Sequence, residues 1–136
     1  MAFLIHSTDD GRVLPWEYLP AGDIANQVDI RPKVGMALTQ TDGNLVLANG
    51  TTVPTYISMR EQDTALTAGD LIPVVRVQKD TVYETTLAAS GTSLKVGDRV
   101  TLHTDGMQVT ATTTSGVAEI VEILGTAIGG KVRVRF

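Results

Sequence analysis

The groups best suited to proton transfer or metal ligation are two histidines, His6 and His103, and the adjacent carboxylates Asp9 and Asp10. A nucleophilic triad or a metal centre needs two or three such groups converging on one point. The histidines lie far apart in the sequence, and there is no cysteine to serve as nucleophile or thiolate ligand. Asp9 and Asp10 are neighbours in a loop-like stretch, where successive side chains diverge, so they read as solvated charge rather than a paired acid and base. Glu61, Asp63 and Asp80 could meet a histidine only through the fold. No glycine-rich phosphate cradle of the Walker or dinucleotide type occurs. The expectation is a protein with no catalytic residues, no metal and no cofactor, which acts by binding.

Composition narrows what it could bind. The 136 residues carry 11 Lys and Arg against 15 Asp and Glu, a net charge of -4. Phosphate recognition needs a basic stripe, so nucleic acid is not the expected partner. Without cysteine the fold must be held by packing and hydrogen bonds. No stretch approaches the ~20 apolar residues of a membrane span, and the opening MAFLIHSTDDGR lacks the basic start and apolar length of a signal peptide. Neither a membrane nor secretion is therefore expected, and synthesis and use in the cytoplasm are.

The elements that must position any binding residues read as β throughout. Short runs of Thr, Val and Ile are broken every few residues by Gly, Asp and Asn. In RVTLH, Val100 and Leu102 alternate with Arg99, Thr101 and His103. In the terminal KVRVRF, Lys131, Arg133 and Arg135 share one face and Val132, Val134 and Phe136 the other. GVAEIVEILG carries glutamates at helical spacing, Glu119 and Glu122, yet Gly116 and Gly125 limit it to strand length, and a strand is expected.

One phrase occurs twice. VGMALTQTDGNLVLA starts at Val34 and VGDRVTLHTDGMQVTA at Val96, each passing from Val-Gly through a short strand to Asp-Gly and a second strand. Ile57 and Ile120 keep the same spacing, and Gly69, Ile72 and Val74 match Gly129, Val132 and Val134. The expected fold is an all-β, small antiparallel β-barrel or β-sandwich with two similar halves, residues 34–77 and 96–136, within one β-domain, 29–136. Tight hairpins are expected at Asp42-Gly43, Asp105-Gly106 and Asn49-Gly50. The last of these overlaps an Asn-Gly-Thr glycosylation pattern, which has no role in a cytoplasmic chain.

Residues 1–28 match neither half. Pro15 and Pro20 flank the single tryptophan, which predicts an extended N-terminal arm without regular hydrogen bonding. Leu14, Trp16 and Tyr18 on that arm are the candidate partner-binding residues, because interface cores favour large rigid aromatics. The alternative is that these residues plug the end of the β-body.

The run from EYLPAGDIANQVDIRPKVGMALTQTDGNLVLANGTTVPTYISM, continued by GDLIPVVRVQKDTVYETTLAASGTSLKVGDRVTLHTDGMQVTATTTSGVAEIVEILGTAIGGKVRVRF, resembles the head decoration, or capsid cement, proteins of tailed bacteriophages and prophages. It covers most of the chain, through phrase order rather than one diagnostic motif. The resemblance implies a virion structural protein made in the bacterial cytoplasm that binds the major capsid protein on the outer capsid surface and stabilises the head. It also implies a homo-oligomer, a trimer at local threefold positions. Other readings of the same scaffold are a tail-tube, fibre or head-completion protein, or a small binding barrel of the oligonucleotide-binding or SH3-like kind, suggested by VGDRVTLH.

Overall fold

A computed structural model describes residues 2–8, 14–27, 31–61 and 64–136. Asp9, Asp10 and Asp63 lie outside the described residues. The described chain forms β1 (Leu4–Ser7), β2 (Trp16–Pro20), a 3-10 turn (Gly22–Asn26), β3 (Ala37–Thr41), β4 (Asn44–Leu47), β5 (Tyr56–Ser58), β6 (Leu71–Arg76), β7 (Val82–Thr86), β8 (Arg99–Val100), β9 (Ala118–Ile123) and β10 (Lys131–Arg135). Among the described residues there is no α-helix, and the run between Gly116 and Gly125 is strand, as its bracketing glycines predict.

The strands form two antiparallel five-stranded sheets, ordered β2-β6-β5-β3-β4 and β1-β7-β10-β9-β8. Neither sheet closes into a barrel, so the architecture is sandwich-like. Alternation decides what lies between the sheets. Ala37, Ile57 and Val75 from the first sheet share one buried cluster with Tyr83, Val100, Ala118, Ile120, Val132 and Val134 from the second. The residues next in sequence on the first sheet, Leu38, Tyr56, Ile72 and Val74, point the other way. They pack beneath Ala21, Ile24 and Ala25, so this sheet is covered on both faces. The second sheet instead turns a charged face outward. Glu84 meets Lys131 at 3.7 Å and Arg133 at 3.3 Å, Arg133 also reaches Glu122, and Arg135 meets Glu119 at 3.1 Å. The alternation expected at the C-terminus is thus present. Phe136, on its apolar side, packs against Phe3 and Tyr83 with ring centroids 5.4 and 5.5 Å apart.

The doubled phrase corresponds to a doubled strand order. Apart from β1 in the second sheet and β4 in the first, the strand order repeats, with β7, β10, β9 and β8 in the places of β2, β6, β5 and β3. Register repeats as well. Val74 pairs Ser58 where Val134 pairs Ile120, and Ala37 pairs Ile57 where Arg99 pairs Glu119, so the counterpart of Ile120 is Ser58 and not, as the spacing suggests, Ile57. Individual hydrogen bonds recur at the same places: the Gly35 amide donates to Ser58 O at 2.7 Å, and the Gly97 amide to Ile120 O at 2.8 Å. Both glycines have positive φ, 78° and 98°, which explains why Val-Gly opens each copy.

The segment around Trp16 corrects the sequence reading of residues 1–28. Residues 16–20 are not free of regular hydrogen bonding, because they form β2 and pair with β6 from Trp16 opposite Val75 to Pro20 opposite Leu71. They also belong to the first repeat, as the counterpart of β7. Proline is tolerated because β2 is an edge strand, where a missing donor breaks no ladder. Leu4, Ile5 and Ser7 are likewise paired to β7, with an irregularity at His6.

The turns are mixed. Asp42 and Gly43, with φ of 50° and 81°, form the two-residue hairpin expected between Thr41 and Asn44. At the second Asp-Gly the turn closes one residue earlier, with the Gly106 amide donating to His103 O at 3.0 Å. Asp105 there accepts the Met107 amide on Oδ1 at 2.8 Å. Asn49-Gly50 is not a hairpin between neighbouring strands, since β4 and β5 flank β3 on opposite sides. Instead Gly50 bridges Leu102, and the Asn49 side-chain amide donates to Thr104 O at 3.1 Å, tying the repeats together.

Candidate binding surface

The three residues expected to bind a partner separate into one core residue and two surface residues. Leu14 is 8% exposed and belongs to the cluster between the sheets, so it supports the fold and is not an anchor. Trp16 and Tyr18 are 49% and 59% exposed and stand on one face of β2. Their register partners are Val75 and Pro73, and Leu71 lies on that face beyond Pro73, 60% exposed. This is the same face of the first sheet that forms the core at Val75, Ile57 and Ala37. Toward β2 and the start of β6 the second sheet no longer covers it, and the inward-facing apolar pattern continues into solvent.

A groove of about 550 Å³ runs beside this overhang, lined by Trp16, Met59, Arg60, Glu61, Leu71 and Pro73 among others. Its wall is fixed by Arg60, which is 7% exposed. The Arg60 guanidinium donates to Pro32 O at 3.1 Å, to Thr64 O at 2.9 Å and to Thr64 Oγ1 at 3.0 Å. On the opposite face of β2, Glu17 accepts two hydrogen bonds from Arg76, at 3.2 and 3.1 Å, and Arg76 also donates to Tyr56 Oη at 3.0 Å. These contacts, with Leu19 packed on the same side, hold β2 against the sheet and leave the aromatic side free. A rigid strand that presents two aromatics without induced ordering lowers the entropic cost of binding.

The proton-transfer candidates are spread over the molecule. His6 lies on β1 at one edge of the second sheet, and His103 follows β8 at the other edge. Glu61 lines the groove beside Trp16, and Asp80 sits in the turn before β7, near Tyr83. No cluster of three His, Asp or Glu able to hold a metal occurs among the described residues. No helix among them is long and apolar enough to cross a membrane.

The sequence reading missed Leu71 and Pro73. Their membership in the surface depends on the antiparallel register of β6 against β2, which no local pattern reports. The spacing of Trp16 and Tyr18, two apart between prolines, was the signal that found the rest.

No family model, no curated protein and no solved structure matches this chain.

Proposed function

We propose that this chain is a structural protein of a tailed-bacteriophage virion, a decoration protein that sits in several copies on the outer capsid surface, binds the major capsid protein and stabilises the head. The observation that carries the reading is the apolar overhang of Trp16, Tyr18, Leu71 and Pro73 on a rigid edge strand. Such a patch, with large aromatics at its centre, has the character of a protein-docking surface. The remainder of the body suits a lattice. Its second sheet presents paired charges to solvent, which resists non-specific association while a specific contact is made elsewhere. Weak binding by each copy suffices, because neighbouring copies on a symmetric shell reinforce one another.

The test mixes purified capsids with the full chain, pellets them and measures the bound fraction for wild type, Trp16→Ala and Tyr18→Ala. Wild-type binding that falls in both variants supports the reading. Wild-type protein that binds no capsid removes it, and binding to purified tails or to emptied head portals instead would then favour a tail or head-completion role.

A further inference from the structure

We propose that the open edge of β2 is completed by β1 of a second copy of this chain, added antiparallel as β1 is added to β7 within one copy. The internal repeat carries the inference. β2 and β7 are counterparts in strand order and register, yet β7 has a strand paired on each side, β10 and β1, whereas among the described residues β2 is paired only with β6; β4 comes near β2 where the sheet curls but forms no ladder with it. The fold therefore shows what the β7-type edge accepts, a short antiparallel strand of sequence Leu-Ile-His-Ser, and leaves the equivalent edge without one. An edge without a ladder partner is a template for strand addition.

The second copy's β1 is also the segment with an edge to offer. It is bound through one side only, and all four of its residues are exposed, Leu4 at 42% and Ile5 at 40%. Of the remaining edge strands, β4 is packed by the 3-10 turn and β8 spans two residues, Arg99–Val100. Charge argues against β2 pairing with itself, since antiparallel β2 strands would bring Glu17 of each copy close to the other, whereas β1 carries no acid. With β1 between its own β7 and the neighbour's β2, the second sheet of one copy continues into the first sheet of the next. That contact uses different surfaces on its two sides, so it propagates head to tail and produces a ring or a filament.

The inference rests on the proposed function only for the presence of several copies together, and its test contains no capsid, so the two fail separately. The chain has no cysteine, which makes directed cross-linking clean. Leu4→Cys, Ile5→Cys and His6→Cys are each mixed with Glu17→Cys and with Tyr18→Cys, covering both register parities, and oxidised; Val53→Cys, an exposed site elsewhere, is the control. The expected result is a reducible dimer band in at least one pairing of a β1 variant with a β2 variant, well above the Val53→Cys mixtures. No pairing above the control overturns the proposal. So does a β2 variant that cross-links to itself as fast as to any β1 variant. Light scattering of the unsubstituted protein supplies a second reading: mass rising with concentration agrees, and a monomer at the highest soluble concentration overturns it.

Discussion

The carbonyl oxygen of Gly106 accepts the amide hydrogen of Ala37 at 2.7 Å, so a turn of the second repeat is stitched to the first residue of β3. Gly106 has a φ of 67°, and a Cβ there would lie 2.5 Å from Leu47 Cδ1 and 3.1 Å from Ala48 O. Gly106→Val therefore combines backbone strain with overpacking and is expected to destabilise the protein by about 2–4 kcal/mol. Gly43→Ala, at a φ of 81° with no atom within 4 Å of the new Cβ, is expected to lose only the strain, about 1 kcal/mol. Urea denaturation of both variants checks the difference. Equal losses would show that the contact with the first repeat contributes nothing.

Trp16→Ala should leave the melting temperature close to wild type, because the ring is half exposed, while weakening attachment to capsids by roughly thirty-fold, the equivalent of about 2 kcal/mol. Tyr18→Ala should act in the same direction. Pelleting with thermal denaturation in parallel separates binding from folding. Removing residues 1–20, by contrast, takes away β1, β2 and the buried Phe3 and Leu14, so the truncated chain is expected to unfold. Circular dichroism of that truncation should show loss of the β signal. A folded truncation would mean that the second sheet and β3 to β6 sustain the core alone.

Tyr83 is fully buried, and its hydroxyl has no hydrogen-bond partner among the described residues. Burial, with Asp80 nearby, pushes its ionisation well above the ordinary 10.0. Below that value both folded and unfolded chains hold the phenol neutral, and stability is intact. Above it the unfolded chain ionises first, so stability falls by up to about 1.4 kcal/mol per pH unit. Tyr83→Phe should abolish this alkaline loss, and at neutral pH it should be neutral or stabilising by about 1 kcal/mol, since it removes a buried unpaired hydroxyl. Denaturation at about pH 9 and about pH 11 reads the effect. An equal alkaline loss in the variant would assign it to other groups.

The strands at 99–100, 118–123 and 131–135 were legible because their alternation and glycine boundaries are local properties of the chain. The repeat was legible for a related reason, since the Val-Gly phrase marks a positive φ that recurs at Gly35 and Gly97. The strand at 16–20 was not. Proline next to Trp16 and at Pro20 signals irregular chain in most settings, and only the edge position of β2, a tertiary fact, makes it compatible with a ladder. Leu14 was misplaced for the complementary reason: an apolar residue beside two exposed aromatics carries no local mark of pointing into the core. The second Asp-Gly misled because Asp105 serves its own turn through its side chain, while Gly106 is needed for contact with the other repeat.

The pairing of β1 with β7 bears on the protein's synthesis. Every strand of the first sheet lies between Trp16 and Arg76, so that sheet can assemble as soon as the ribosome has delivered this length, whereas β1 pairs with residues 82–86. At translation rates of about 5–20 residues per second, Leu4 to Ser7 wait roughly 4–15 s for their partner strand. During that interval on a polysome the nascent N-terminal strand is an unpaired donor, and the completed edge of β2 on a neighbouring nascent chain is an unpaired acceptor.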